Sequence, residues 1–112
     1  MTKNEQTAIN AEVIATIERF NSMHFTLTNW KQLRSCSAEV APCTDPETGE
    51  LLFYALRSYR TIVAIIDCRT NTLYDFLRYV YGYTATSAQH IAKFACDYGY
   101  YPHFRILRYY PV

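Results

Sequence analysis

The chain has 112 residues, half of them apolar and 19% charged, with three glycines and four prolines. That describes one globular domain over 1–112 and excludes a disordered or fibrous chain. Size scaling gives a folded surface of about 6,400 Å², about a third of what the unfolded chain exposes, so one core forms without disulfide or metal staples. A net charge of +1 excludes a polyanion mimic and a histone-like polycation.

The polar stretch Met1 to Gln6 has no apolar run of the kind a secretory leader needs. Residues 5–21 then read as an amphipathic helix. Ile9, Val13, Ile17 and Phe20 recur at helical spacing, and Glu5, Asn10, Glu12, Glu18 and Arg19 fall largely on the other side. His24 to Leu33 mixes strand-like alternation with helical spacing and stays unassigned. A weak strand at Ala38 to Pro42 leads into the turn Thr44 to Glu50, where Asp before Pro and Gly three residues on reverse the chain. Leu51 to Arg57, Tyr59 to Asp67 and Thr72 to Tyr79 follow as strands, the second of them rich in β-branched residues. The longest aliphatic run, Ile62 to Ile66, is far too short to span a bilayer, so the expectation is a cytoplasmic protein without membrane contact.

The second helix opens on Thr86-Ser87-Ala88-Gln89, which fits a capping box, and Gly99 supplies its stop. Ile91, Phe94, Ala95 and Tyr98 form its buried stripe, which leaves Gln89, His90, Lys93 and Asp97 for the exposed side. A last strand, His103 to Tyr110, rejoins the sheet. The order α-β-β-β-β-α-β with hairpin connections predicts an α+β fold: an antiparallel sheet of four to five strands with two helices packed on one face. The soft internal boundary lies near Ser35 to Gly49. Cys36, Cys43, Cys68 and Cys96 lack the close paired spacing of a zinc site and read as reduced thiols, so no metal and no cofactor is expected.

Charge and aromatics are unevenly spread. Residues 1–50 carry a net −3 and residues 51–112 a net +4, and ten of the eleven tyrosines lie from Tyr59 onward. Tyr79, Tyr81 and Tyr83 alternate, so on a strand they would share one face. Part of this tyrosine content is ordinary rim packing of a small core. The surplus, interleaved with arginine, fits a protein-binding surface, because Tyr and Arg bury area at low entropy cost and add specific hydrogen bonds. The alternative is a stacking platform for nucleic acid, against which stands the small local charge excess. A third reading is a homodimer interface. The candidate binding residues are Arg57, Arg60, Tyr79, Tyr81, Tyr83, His90, Lys93, Tyr101, Arg105, Arg108 and Tyr109. No catalytic residues are assigned. A phosphate loop, a nucleophile elbow and a His-Glu-x-x-His motif are all missing from the sequence, and the one enzymatic form worth naming is a small ribonuclease using His90 with Arg57, Arg60 and a tyrosine.

One stretch carries a resemblance. Ser58-Tyr59-Arg60-Thr61 at a strand entrance, Tyr74 on the next strand, and Thr84-Ala85-Thr86-Ser87-Ala88-Gln89-His90 with Phe94 on a helix occur in that order. The pattern is similar to a family of small uncharacterised domains found in plasmids, phages and integrative elements of Firmicutes. The match covers about a third of the chain. The resemblance implies a setting, the small accessory protein of a mobile element, and brings no functional residues with it. By analogy, it implies a stoichiometric inhibitor of a host defence system, anti-CRISPR-like, whose partner is a nucleic-acid-handling host complex. The alternative is a weak nucleic-acid-binding accessory or regulatory protein of the element.

Overall fold

Thr2 starts the first helix by accepting the Glu5 backbone N–H at 3.1 Å, while its hydroxyl donates to the Glu5 carboxylate at the same distance. The computed structural model describes residues 2–112. Helix α1 spans Lys3–Ser22 and buries Val13, Ile17 and Phe20 as its apolar stripe. Strands β1 (Lys31–Gln32), β2 (Ala38–Thr44), β3 (Leu51–Ser58), β4 (Thr61–Asp67) and β5 (Thr72–Asp75) follow. Then come a single helical turn, α2 (Leu77–Val80), helix α3 (Ala85–Tyr98) and strand β6 (Arg105–Arg108). The accessible surface, 6,696 Å², is close to what chain length alone demands.

The fold is α+β, and its six strands stand in the sheet in sequence order, β1-β2-β3-β4-β5-β6. The first four pairings are antiparallel. β6 returns by way of α2 and α3 to lie parallel to β5, which makes the sheet mixed rather than antiparallel throughout. Two of its connections show their chemistry plainly. In the β2–β3 turn, Asp45 Oδ1 accepts the N–H groups of Glu47 and Thr48 at 2.8 and 3.2 Å, and Gly49 takes φ +75°. The β3–β4 hairpin turns on Tyr59 and Arg60, with Tyr59 at φ +59°, a conformation in which a bulky residue is uncommon.

The helices lie on opposite faces of the sheet, not on one. Val13, Ile17 and Phe20 of α1 pack with Phe53, Ala55, Ile65 and Tyr74. Ile91, Phe94 and Ala95 of α3 pack with Val40, Leu56, Ala64 and Leu73. The burial pattern shows why: Leu52, Phe53, Ala55 and Leu56 on β3 and Val63 to Ile66 on β4 are buried on both sides, so both faces need a cover. A register shift after Leu56 leaves Val63 without a partner on β3, and Val63 and Ala64 both join the α3-side cluster.

Further corrections are local. The strand expected over Thr72 to Tyr79 stops at Asp75, whose Oδ1 accepts the Leu77 N–H at 3.1 Å and starts α2. Tyr79, Tyr81 and Tyr83 therefore do not alternate along a strand. Thr84, not Thr86, caps α3, its hydroxyl oxygen accepting the Ser87 N–H at 3.2 Å. Gly99 does end the helix, with extended rather than left-handed backbone. Glycine is needed there because a Cβ would come within 2.6 Å of the Ala95 carbonyl oxygen and 2.8 Å of the Phe104 ring. Asn10, placed by its polarity on the exposed side of α1, is buried. It donates to the Tyr110 carbonyl at 2.5 Å and accepts the Tyr110 N–H at 3.0 Å, while Gln6 donates to the Arg108 carbonyl at 2.9 Å. These amides satisfy backbone groups at the far end of β6 and just beyond it, which would otherwise stand bare at a sheet edge.

Candidate functional site

The tyrosines and arginines of the second half divide into three environments. The first is structural. Tyr98 closes the α3-side core against Tyr54 and Phe94, with ring centroids 4.9 and 5.6 Å away, and burial pushes its hydroxyl up from the ordinary value. Tyr101 packs edge-on to Phe104 at 5.3 Å. Arg57 lies over the Trp30 ring at 4.0 Å and pairs with Glu39 at 2.8 Å. Arg108 pairs with the buried Asp75 at 2.6 Å. Both of these arginines, candidate charged anchors by sequence, are thus already engaged. Arg105 is exposed, its guanidinium donating to Thr72 Oγ1 at 3.3 Å.

The second environment is a surface built from two distant segments. Tyr79 of α2 stacks edge-on to Tyr109 at 5.1 Å. The Arg78 guanidinium stands 4.6 Å from the Tyr83 ring and 4.5 Å from the Tyr110 ring. Residues 78–83 and the C-terminal segment, two stretches that the sequence offers separately, form one tyrosine–arginine cluster. Tyr79, Tyr83 and Tyr110 remain exposed in it. Arg78 and Tyr110 are members that the sequence did not single out. The signal that could have found them is modest: Arg78 is the one cation among the tyrosines of residues 74–83. Tyr81 lies just past the end of α2, and Gly82, at φ +113°, turns the chain between it and Tyr83.

The third environment is a cleft of about 270 Å³ on the α3 side of the sheet. Tyr59 and Tyr81 stand in its lining together with Ser58, Thr84, Thr86 and Ser87. His90 is not on the exposed side of α3: it is 3% exposed, and its Nδ1 lies 2.7 Å from Ser58 Oγ. Ser58 Oγ in turn lies 2.8 Å from Ser87 Oγ. Burial, and secondarily the Lys93 ammonium, hold the His90 imidazole below its ordinary pKa and hence neutral at pH 7. Ser58, Ser87 and His90 come from the two ends of the resembling segment, which the sheet and α3 bring together. Lys93 is half-buried one helical turn beyond His90. Arg60 lies outside this cleft, in a shallower groove of about 580 Å³ that shares Tyr59 with it.

Two of the four cysteines are chemically quiet. Burial pushes the Cys43 thiol up to about 12 and the Cys68 thiol up to about 11, so both stay protonated and unreactive at neutral pH. Among the described residues, no three His, Cys, Asp or Glu side chains are placed to share a metal ion, and no helix is long and apolar enough to cross a membrane. A scan against protein-family models finds no match for this chain, and searches of curated proteins and of solved structures find none either.

Proposed function

We propose that this chain is a non-enzymatic protein-binding module of the cytoplasm, a stoichiometric inhibitor carried by a mobile element and directed at a nucleic-acid-handling host complex. The observation that supports it is the tyrosine–arginine cluster, in which Arg78 stands between Tyr83 and Tyr110 and Tyr79 rests on Tyr109. Rings that already hold one another lose little freedom on binding, and a guanidinium between two rings keeps its remaining donors for a partner. Exposed Tyr and Arg in a pre-ordered group are the side chains that dominate binding energy at protein interfaces. The mobile-element setting and the choice of host target rest on the resemblance of Ser58 to Phe94 alone.

The test is a paired capture experiment. The wild-type protein and a Tyr83→Ala/Arg78→Ala variant, both immobilised, are exposed to nuclease-treated host lysate, and the partner recovered is then titrated in purified form. The expected result is saturable binding near one-to-one by the wild type and a loss of at least about tenfold in the variant, with thermal unfolding unchanged. Full binding by a folded variant would overturn the reading. The nucleic-acid alternative is checked beside it by fluorescence anisotropy with DNA and RNA at about 50 and about 200 mM salt. An affinity that falls by orders of magnitude over that range, and that depends on Arg78, would reassign the cluster.

A further inference from the structure

The cleft on the α3 side is not used by that reading, and its chemistry is of another kind. Every polar side chain in its lining is a hydroxyl, and none is charged. Its volume, about 270 Å³, lies just below the range from about 300 Å³ upward that accepts drug-sized molecules, so it suits a smaller ligand. Two rings stand in its lining, Tyr59 at 59% exposure and Tyr81 at 68%. Large aromatic faces left that open contribute little to folding, and one of them is held at a cost. Tyr59 occupies a left-handed position of a two-residue hairpin, where glycine or asparagine would be easier. Its ring lies against His90, centroid to centroid at 5.8 Å. Strain kept at a residue that the core does not need is the pattern of a functional position.

The floor is equally suggestive. Among the described residues, the Ser58, Ser87 and His90 side chains bond only to one another. Hydroxyls rotate, and a neutral imidazole can carry its proton on either nitrogen, so the chain can run in either direction and offer a donor or an acceptor upward. Beyond Tyr59 the adjoining groove holds Arg60 with Ser35 and Ser37. Glu39, the one carboxylate of that groove, is bound by Arg57, whereas Arg60 makes no ion pair among the described residues.

We propose that this pair of concavities binds a nucleoside monophosphate unit: the base enters the cleft against Tyr59 and Tyr81, the Ser and Thr hydroxyls meet its polar edge, and Arg60 takes the phosphate. A flat π-face for the rings, adjacent donors and acceptors for a reversible hydroxyl floor, and one anionic group a short distance away describe that ligand class. Its source is either a free nucleotide or one residue of a single strand, and the two share this chemistry.

The experiment is an NMR titration of ¹⁵N-labelled protein with AMP, GMP, CMP and UMP in one arm and with a short oligothymidylate in the other. Saturable shifts centred on Tyr59, Tyr81 and Ser87 are expected. Saturation by a mononucleotide identifies a free-nucleotide site, and saturation by the oligomer alone identifies a single-strand site. Tyr81→Ala should weaken binding by at least about fivefold, the lower end of what one stacked base contributes. Tyr59→Gly should weaken it similarly while raising the melting temperature, because glycine relieves the left-handed backbone. Tyr100→Ala, on an exposed ring away from both concavities, should leave binding unchanged. No saturable shift in either arm would overturn the proposal, as would a Tyr81→Ala protein that binds as tightly as the wild type.

Discussion

Both faces of the sheet bury polar side chains, and they do so to different ends. On the α1 side, Gln6 and Asn10 donate two hydrogen bonds to, and accept one from, the backbone of the last strand and the residues after it. On the α3 side, the Ser58, Ser87 and His90 side chains bond to one another and, among the described residues, to no backbone group. The first set meets an obligation that the fold creates, since an edge strand must be paired, covered or charged. The second meets no such obligation: three apolar side chains of similar volume would leave no orphaned backbone behind. Buried polar groups that serve the backbone belong to the scaffold, and groups that serve only themselves are free to serve a ligand.

The comparison can be pressed first where the α1 face is most apolar. Phe53 is 1% exposed, with the rings of Phe20 and Phe25 at 5.4 and 5.9 Å and the Arg19 guanidinium 5.2 Å from its centroid. Phe53→Ala should cost about 3–5 kcal/mol in urea unfolding, the largest single effect expected in this molecule. Asn10→Ala comes next. It removes both bonds to Tyr110 and uncovers that backbone, so a loss of about 1–3 kcal/mol is expected, with faster amide exchange at Tyr110. Ser87→Ala removes one hydroxyl from the α3-side network and leaves its backbone N–H with Thr84, so the loss should stay below about 1.5 kcal/mol. If Ser87→Ala proved as damaging as Asn10→Ala, the distinction between the two faces would collapse.

The elements that were legible in the sequence are those whose periodicity and end signals agree. α1 shows its apolar stripe, the β2–β3 turn shows Asp-Pro and Gly49, and β3 and β4 show runs of Leu, Ile and Val. The placement of the helices was not legible, because a strand buried on both faces reads as a continuous apolar run and does not say how many helices it needs. Asn10 and His90 misled for one shared reason. Each is polar at a helix position near the apolar stripe, and polarity alone cannot tell a solvated side chain from one that meets a buried partner contributed from far along the chain. The tyrosine–arginine cluster was half legible. Composition pointed to the right segments, but the contact between residues 78–83 and the C-terminus exists only once β6 lies beside β5. The Ser58–Ser87–His90 network was present in the sequence only as a spacing without a mechanism.

The smallest effect expected is a slope with pH rather than an offset, and it probes the α3 face most directly. Burial, with Lys93 adding to it, lowers the His90 pKa in the folded protein from the ordinary 6.5. The unfolded chain therefore takes up a proton at this residue at higher pH than the folded protein does. The resulting contribution to stability is fully present above about pH 7 and is lost as pH falls through about 6.5 toward the folded value. Ser58 and Tyr59, the side chains in contact with the imidazole, and Lys93 are all retained in a His90→Gln protein. Urea unfolding of the wild type and of His90→Gln at about pH 8, 7, 6 and 5 isolates the residue, because His24 and His103 are common to both proteins. The wild type should lose stability more steeply below pH 7 than the variant does, and the two curves should run parallel above it. Parallel curves over the whole range would mean that His90 takes up its proton as easily folded as unfolded. A network that wet would be part of the surface, and the α3 face would then differ from the α1 face in composition alone.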